Sequence, residues 1–456
     1  MASPADVRTT TRPHLLRELG VSQACAVVVG TIIGSGIFLV PAEMMQAVGS
    51  PKLLYIVWIV GGLLSFFGAL TYAELGAMKP QAGGEYVYVR DAYGPLAGFL
   101  YAWTTFLISK PASIATITTG LVRILGTFAV FSFFDSHLVG PIKYGQLVAV
   151  TAAVLISFLN YIGIKKAGEF QLVFTLLKIA IVLGIVFVGF TYAGGSWMHF
   201  AETYAGAKGG ITGFMAALVA ALWAYDGWNN LNMVSEEIRE PERNIPVALI
   251  VGVATVGALY MLVNAAVQFV LPANAVAASP RVASDAIGIV LGSTGAAIVS
   301  AGMALSMLVT LNGTTMSGAR VPFAVARDRY FFSALAEVHP RFHTPAAAIV
   351  AQAVLSIILL LLGGSFRQFF SLAIFAEWLF YMITASTVFV FRHRDPQARR
   401  PYRVWGYPVI PALFVLVSAV LLYYTFTDNL RNSATGCLVI LAGIPVFYAF
   451  ARKRRA

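Results

Sequence analysis

The chain has 456 residues, 59% of them hydrophobic and 11% charged, with a formal net charge of +11 and a mean hydropathy of +0.79. A soluble domain carries roughly 25% charged residues, so the composition excludes a soluble enzyme and predicts an integral membrane protein. The apolar residues come in blocks mostly longer than the roughly 20 needed to cross hydrocarbon as helix, not in the short alternating segments of a β-barrel.

A polar, arginine-bearing tail (1–21) precedes the first apolar block. That block is too long for a cleaved signal peptide and lacks its small-residue site, so it reads as the first span. Spans are predicted over 22–48, 53–78, 94–126, 143–164, 168–194, 211–238, 245–272, 285–317, 345–363, 366–392, 408–427 and 432–451. The block at 285–317 is long enough to tilt or to run past the bilayer. With an even number of spans both termini share one side, and most of the 31 lysines and arginines fall there. The opposite side has only Lys52, Arg123, Lys143, Lys208, Arg281, Arg367 and Arg431. The positive-inside rule then makes both termini cytoplasmic in the inner (plasma) membrane, and the net charge reports topology, not nucleic-acid binding. Cys25 and Cys437 lie in apolar runs, which supports neither a disulfide framework nor a cysteine metal site. The six histidines fall near loops without metal-ligand spacing. No metal or cofactor is expected.

The first span contains VVVGTIIGSGIFLVP, Val27 to Pro41. Glycine inside a helix costs roughly 0.8 to 1 kcal/mol relative to alanine, so Gly34-Ser35-Gly36 marks either a close helix-packing surface or a place where the helix unwinds. Unwound backbone survives in a membrane only against protein or a water-filled cavity. The sixth span, ITGFMAALVAALWAYDGWNNLNMVSEEI, stops being apolar at Tyr225-Asp226-Gly227, with a more polar second half from Trp228. If 22–195 and 211–392 are two five-span repeats, followed by a cytoplasmic loop (393–407), two further spans (408–451) and a basic tail (452–456), both repeats are interrupted at the same place. Matched interruptions point to the substrate site of a secondary transporter. The second half of a broken helix offers N–H groups to an anion and the first half offers C=O groups to a cation. The pair fits a small zwitterion, and an amino acid is the obvious one.

GTIIGSGIF, AYDGWNNLNMVSEEIREPERNIP, VPFAVARDRYFF, HPRFHTPAAAI and RRPYRVWGYPVIP resemble, in order and spacing, the motifs of the L-type amino acid transporter family within the amino acid-polyamine-organocation superfamily. The resemblance runs from about Leu15 to the last span. It implies an all-α membrane protein of 12 helices with the LeuT-type fold: two inverted five-helix repeats, helices 1 and 6 broken, and two peripheral helices. It also implies that the substrate carboxylate binds the backbone and hydroxyl of Gly34, Ser35 and Gly36, and that the ammonium lies against carbonyls of Ile32, Trp223, Ala224 and the Asp226 position. Trp223 matches a gating aromatic; Trp228 and Asn229 match residues near the substrate side chain. Many relatives have glycine at Asp226, where an acid either strengthens ammonium binding or caps the second half-helix. Relatives in animals use a cysteine between spans 3 and 4 to bind a single-pass partner. Residues 127–144 contain none, so no disulfide-linked partner subunit is expected.

Ionisable residues inside spans default to functional hypotheses. Lys178 matches a lysine common in this family, placed where sodium-coupled members of the fold hold an ion; it is either a fixed cationic strut or a titrating group. Lys110 precedes Pro111 and resembles the basic-proline pair of L-type relatives, which implies a place off the substrate pocket and a task of pinning a kink or a neighbouring helix. Glu377 either pairs with a lysine, faces the pathway or is held neutral. Glu74, Glu85, Lys79 and Arg90, with Glu236, Glu237 and Arg239 to Arg243, read as surface and gate salt bridges. An intramembrane enzyme would need clustered catalytic groups within the spans, and a channel would favour polar or charged rings along a pore; neither pattern is present. The function expected is sodium-independent transport of small or medium neutral L-amino acids, by exchange or linked to protons. The alternatives are a substrate-binding sensor on the same fold, or a transporter of cationic amino acids or polyamines. The partners expected are the amino acid and the lipid bilayer.

Overall fold

Lipid offers the backbone no hydrogen-bonding partner, so each apolar block closes its N–H and C=O groups within itself as helix. The structure, a computed structural model, describes residues 14–140, 142–362, 366–428 and 430–455; Arg8 and Arg12 of the N-terminal tail lie outside them. The first block forms α1 (Val21–Ile32) and α2 (Gly36–Val48), with residues 33–35 non-helical between them. The next, α3 (Pro51–Met78), starts on the Ser50 hydroxyl, which accepts from the Leu53 N–H, with Pro51 in the first turn. Short helices α4 (Glu85–Tyr93) and α5 (Pro95–Thr104) follow. A π-helical turn, Thr105–Ser109, then leads into α6 (Lys110–Leu125), at the point where Pro111 has no N–H to return to the preceding turn. A small antiparallel hairpin, β1 (His137–Val139) with β2 (Ile142–Lys143), precedes α7 (Tyr144–Tyr161) and α8 (Ile164–Phe190).

The second half of the chain begins with α9 (Gly210–Ala224) and resumes helix as α10 (Asn230–Met233). This differs from a long polar half-helix starting at Trp228: α10 is a single turn, succeeded by a 3-10 turn at Ser235–Glu237. The asparagines explain it, since their amides bind other elements instead of lying along a helix surface; Asn232 donates to the Tyr72 carbonyl (3.0 Å) and the Tyr88 hydroxyl (3.1 Å). Then come α11 (Pro241–Val270), α12 (Ala273–Ala278), α13 (Val282–Gly318) and α14 (Arg320–Arg327). The long block expected at 285–317 neither tilts nor overruns as one rod, because it reverses at Gly292 (φ 70°, ψ −164°). Ser284 reaches the Ala296 carbonyl at 3.0 Å and the Ser300 hydroxyl at 3.2 Å, whereas sixteen residues of straight helix would separate them by about 24 Å. The chain finishes with α15 (Ala346–Leu362), α16 (Phe366–Arg394), α17 (Val409–Asp428) and α18 (Leu430–Arg455).

Eight helical segments among the described residues are long and apolar enough to cross a bilayer, counting α1 with α2 and α13 with α14; α9 and α15 are shorter apolar helices. The broken α1 lies innermost, packed by α8, α11 and α13, with Val27 and Val28 wholly buried. By contrast α7, α8 and α18 turn Phe158, Phe187 and Leu438 outward, the apolar surface a lipid-facing helix presents. α2 packs on α9, which brings the two interrupted segments together at the centre.

Candidate functional site

The two interruptions interlock through their glycines. A Cβ on Gly36, the first residue of α2, would stand 2.8 Å from Ala224 Cα, so only glycine lets α2 approach the end of α9 this closely. Gly227 has φ 115° and lies against Thr31 of α1; that conformation favours glycine and turns the chain sharply after Asp226. Between them the Tyr260 hydroxyl of α11 reaches both freed carbonyls, Ile32 at 3.1 Å and Ala224 at 2.8 Å. On the other side of the first break, Lys178 of α8 donates to Gly30 (2.8 Å) and Ile33 (2.5 Å). Ser306 and Thr310 of α13 add bonds to Ile33 at 2.8 and 3.3 Å, and Thr310 reaches Gly30 at 3.1 Å. The carbonyls that unwinding frees are therefore held by one ammonium and three hydroxyls. The first N–H groups of α2 have no partner within their own helix, and Ser35 and Gly36 line a cavity.

That cavity has a volume of about 90 Å³. A water needs roughly 10–15 Å³ on this measure, so it would hold some six to nine waters, comparable with the heavy-atom count of a small amino acid. Ile32, Gly34, Ser35, Gly36, Trp223, Ala224 and Asp226 all line it, as do Lys110, Ser113, Thr116 and Glu377. Lys110 thus reaches the cavity, where the resemblance places it off the substrate pocket; its ammonium donates to Asn230 of the neighbouring α10 at 2.7 Å. Asp226 accepts from the Tyr381 hydroxyl at 2.6 Å. The N-cap position of α10 is Asn229, whose side chain makes no capping bond, and Asp226 stands in the turn before that helix. Glu377 faces the cavity with Ser113 3.5 Å away.

Trp228 and Asn229 lie elsewhere, because the turn at Gly227 carries them past the cavity wall. Trp228 packs edge-on to Tyr72 (4.7 Å between centroids) and against Tyr381 (5.4 Å). Asn229 donates to Glu85 at 2.9 Å, and Tyr101 does so at 2.7 Å. This group borders a second, water-sized space of about 10 Å³ that shares Lys110 and Glu377 with the larger cavity.

Most of the acids read as surface and gate salt bridges are buried. Glu74, Glu85 and Glu237 are 1%, 0% and 0% exposed. Glu237 forms a two-armed ion pair with Arg320, at 2.8 and 2.9 Å, itself fully buried. Glu74 takes two bonds from Arg392, and Asp328 binds Tyr86 and Arg90. The helices around these pairs supply the cover, which no local pattern announces.

Sequence reasoning missed Ser113 and Thr116, although a signal was present. Lys110, Ser113 and Thr116 recur every third residue in an otherwise mainly apolar span, which places them along one side of a helix. Among the described residues no three His, Cys, Asp or Glu side chains converge as metal ligands.

A family model of amino acid permeases matches residues 19–450. The serine/threonine exchanger SteT of Bacillus subtilis is 32% identical over 451 residues, covering 97% of this chain and 98% of that protein. The b(0,+)-type amino acid transporter 1 of Homo sapiens is 31% identical, covering 96% and 89%, and the human cystine/glutamate transporter is 29% identical, covering 96% and 86%. Matched along nearly its whole length, the chain belongs to the amino acid permease family of membrane transporters.

Proposed function

We propose that this amino acid transporter carries small neutral L-amino acids by sodium-independent alternating access, binding them at the two interlocked helix breaks. The observation that carries the reading is the joining of both breaks around one cavity of about 90 Å³. The substrate carboxylate sits on the N–H groups of Ser35 and Gly36 with the Ser35 hydroxyl, at the positive end of α2. Its ammonium sits by the carbonyls of Ile32, Trp223 and Ala224, with Asp226 in reach. Trp223 closes over it. Trp228 acts at one remove, by backing the Tyr381 that holds Asp226.

The helices compose, on this reading, the twelve-span LeuT-type arrangement: inverted repeats over 22–195 and 211–392, and two peripheral spans over 408–451. Both termini are cytoplasmic, and the ion pairs around Glu237, Glu74 and Asp328 belong to the inner gate. Lys178 fills the place a sodium ion takes in sodium-coupled members of the fold, since its ammonium already holds the Gly30 and Ile33 carbonyls. The protein works without a disulfide-linked partner subunit. Uptake of a panel of labelled amino acids into proteoliposomes, with and without internal amino acid and a pH gradient, tests the reading. Flux of small neutral amino acids is the expected result, whereas binding without flux would make the protein a sensor.

A further inference from the structure

We propose that Asn230 is a positioning residue that locks the cavity shut toward the cytoplasm: Lys110 and Ser317 grip its amide oxygen, and the transporter turns over by breaking that grip. The proposal rests on the reading that both termini are cytoplasmic and that the protein works by alternating access. Asn230 begins α10, the single turn in which the second broken span resumes as helix. Its side-chain oxygen accepts from Lys110 of α6 at 2.7 Å and from Ser317 of α13 at 2.6 Å. An ammonium owns only donors, so the oxygen of the amide and not its nitrogen must face Lys110. All three side chains are buried, which strengthens each bond relative to one made in water.

The surroundings are shaped for this contact. The π-helical turn Thr105–Ser109 ends directly before Lys110, and such turns frequently mark functional sites. Opposite it, a Cβ on Gly318 would stand 2.9 Å from Lys110 Cγ, so the glycine beside Ser317 leaves room for the lysine stem. Two helices that line the cavity, α6 and α13, are thereby tied to the segment that follows the break. From Asn230 onward the chain is buried through Asn232, Met233, Ser235 and Glu237, and it reaches the surface at Arg239 and Glu240. On the proposed topology that surface is cytoplasmic, so this stretch plugs the way from the cavity to it. Opening that way requires α10 to leave α6 and α13, and both bonds on Asn230 must break for it to do so.

The test is alkylation of a cysteine reporter in the plug, Met233→Cys or, as a second reporter, Ser235→Cys, by a membrane-impermeant maleimide applied to the cytoplasmic face of inside-out vesicles. The parent is the whole chain carrying Cys25→Ala and Cys437→Ala with one reporter, checked by uptake of labelled L-alanine. The labelling rate follows the fraction of time the plug is open and is insensitive to the amount of protein. Ser317→Ala removes one donor, leaves the Asn230 oxygen its Lys110 bond, and changes a side chain that does not line the cavity. The loss of one hydrogen bond predicts labelling about 2- to 10-fold faster. Asn230→Asp keeps the acceptor and adds a charge that the Lys110 ammonium favours, so labelling falls below the parent rate. A residue that merely stabilised the fold would lower the melting temperature of both variants without driving the rate in opposite directions. A rate in Ser317→Ala no higher than the parent's, an unslowed rate in Asn230→Asp, or a gain confined to the outer face of right-side-out vesicles overturns the proposal. In those cases uptake by the parent persists and the transporter reading stands. If the unaltered protein takes up no amino acid, that reading falls and the lock with it.

Discussion

Gly36→Ala adds one methyl group where the two broken segments touch, and its effect follows from the geometry. The new Cβ would lie 2.8 Å from Ala224 Cα and 2.9 Å from Ala224 Cβ, too close for carbon atoms. The obstacle is another helix's backbone, so no flexible side chain gives way and α2 must move off α9. Overpacking of this kind costs about 1–3 kcal/mol. The ligand needs both segments in register, so the same energy falls on binding and weakens it about 5- to 150-fold. Gly34→Ala supplies the contrast: its Cβ meets nothing nearer than Thr310 Oγ1 at 3.5 Å, an ordinary contact, and its loss of affinity stays below that of Gly36→Ala. Scintillation-proximity binding of labelled L-serine, on variants that elute as single species in detergent, measures both. Wild-type affinity in Gly36→Ala, or a larger loss in Gly34→Ala, would refute the reasoning.

Three further outcomes follow from the buried charges. Uptake into proteoliposomes in choline buffer equals uptake in sodium buffer of the same ionic strength, because Lys178 holds the Gly30 and Ile33 carbonyls; a steep sodium dependence would show that Lys178 has been misread. Lys178→Met removes that donor from buried carbonyls, a loss of about 1–3 kcal/mol, and lowers both melting temperature and transport; full transport by this variant would rule out a role in holding the break. Arg320→Ala leaves Glu237 charged and buried, which costs about 3–5 kcal/mol, whereas the double change Arg320→Met with Glu237→Met costs less than Arg320→Ala alone; thermal melts in detergent rank them, and the opposite order would place the pair at the surface.

What the sequence disclosed follows from the range over which each feature acts. The breaks at Gly34–Gly36 and Tyr225–Gly227 are written in local backbone chemistry, glycines where a helix in lipid should have none. Lys178 stands out because a lone charge in a span is conspicuous wherever it points. The orientation of side chains is another matter. Trp228 and Asn229 follow the break directly, yet a single φ of 115° at Gly227 carries them to the far side of the wall. Lys110 and Glu377 come from α6 and α16, far apart in the chain, and meet only through packing. The burial of Glu85 and Arg320 depends likewise on helices contributed from elsewhere. The polar spacing of Lys110, Ser113 and Thr116 was the one readable trace of that inward face.

The central claim is that backbone groups freed at the two breaks hold an amino acid by its carboxylate and its ammonium together. Displacement of labelled L-alanine by unlabelled L-alanine, by propionate and by ethylamine, in sodium-free buffer, tests it most directly. Propionate lacks the ammonium and ethylamine lacks the carboxylate, and each forfeits at least one charge-assisted set of bonds. The account predicts that L-alanine competes and that either fragment is at least about 100-fold weaker. A fragment that displaces the label as well as L-alanine does would contradict it.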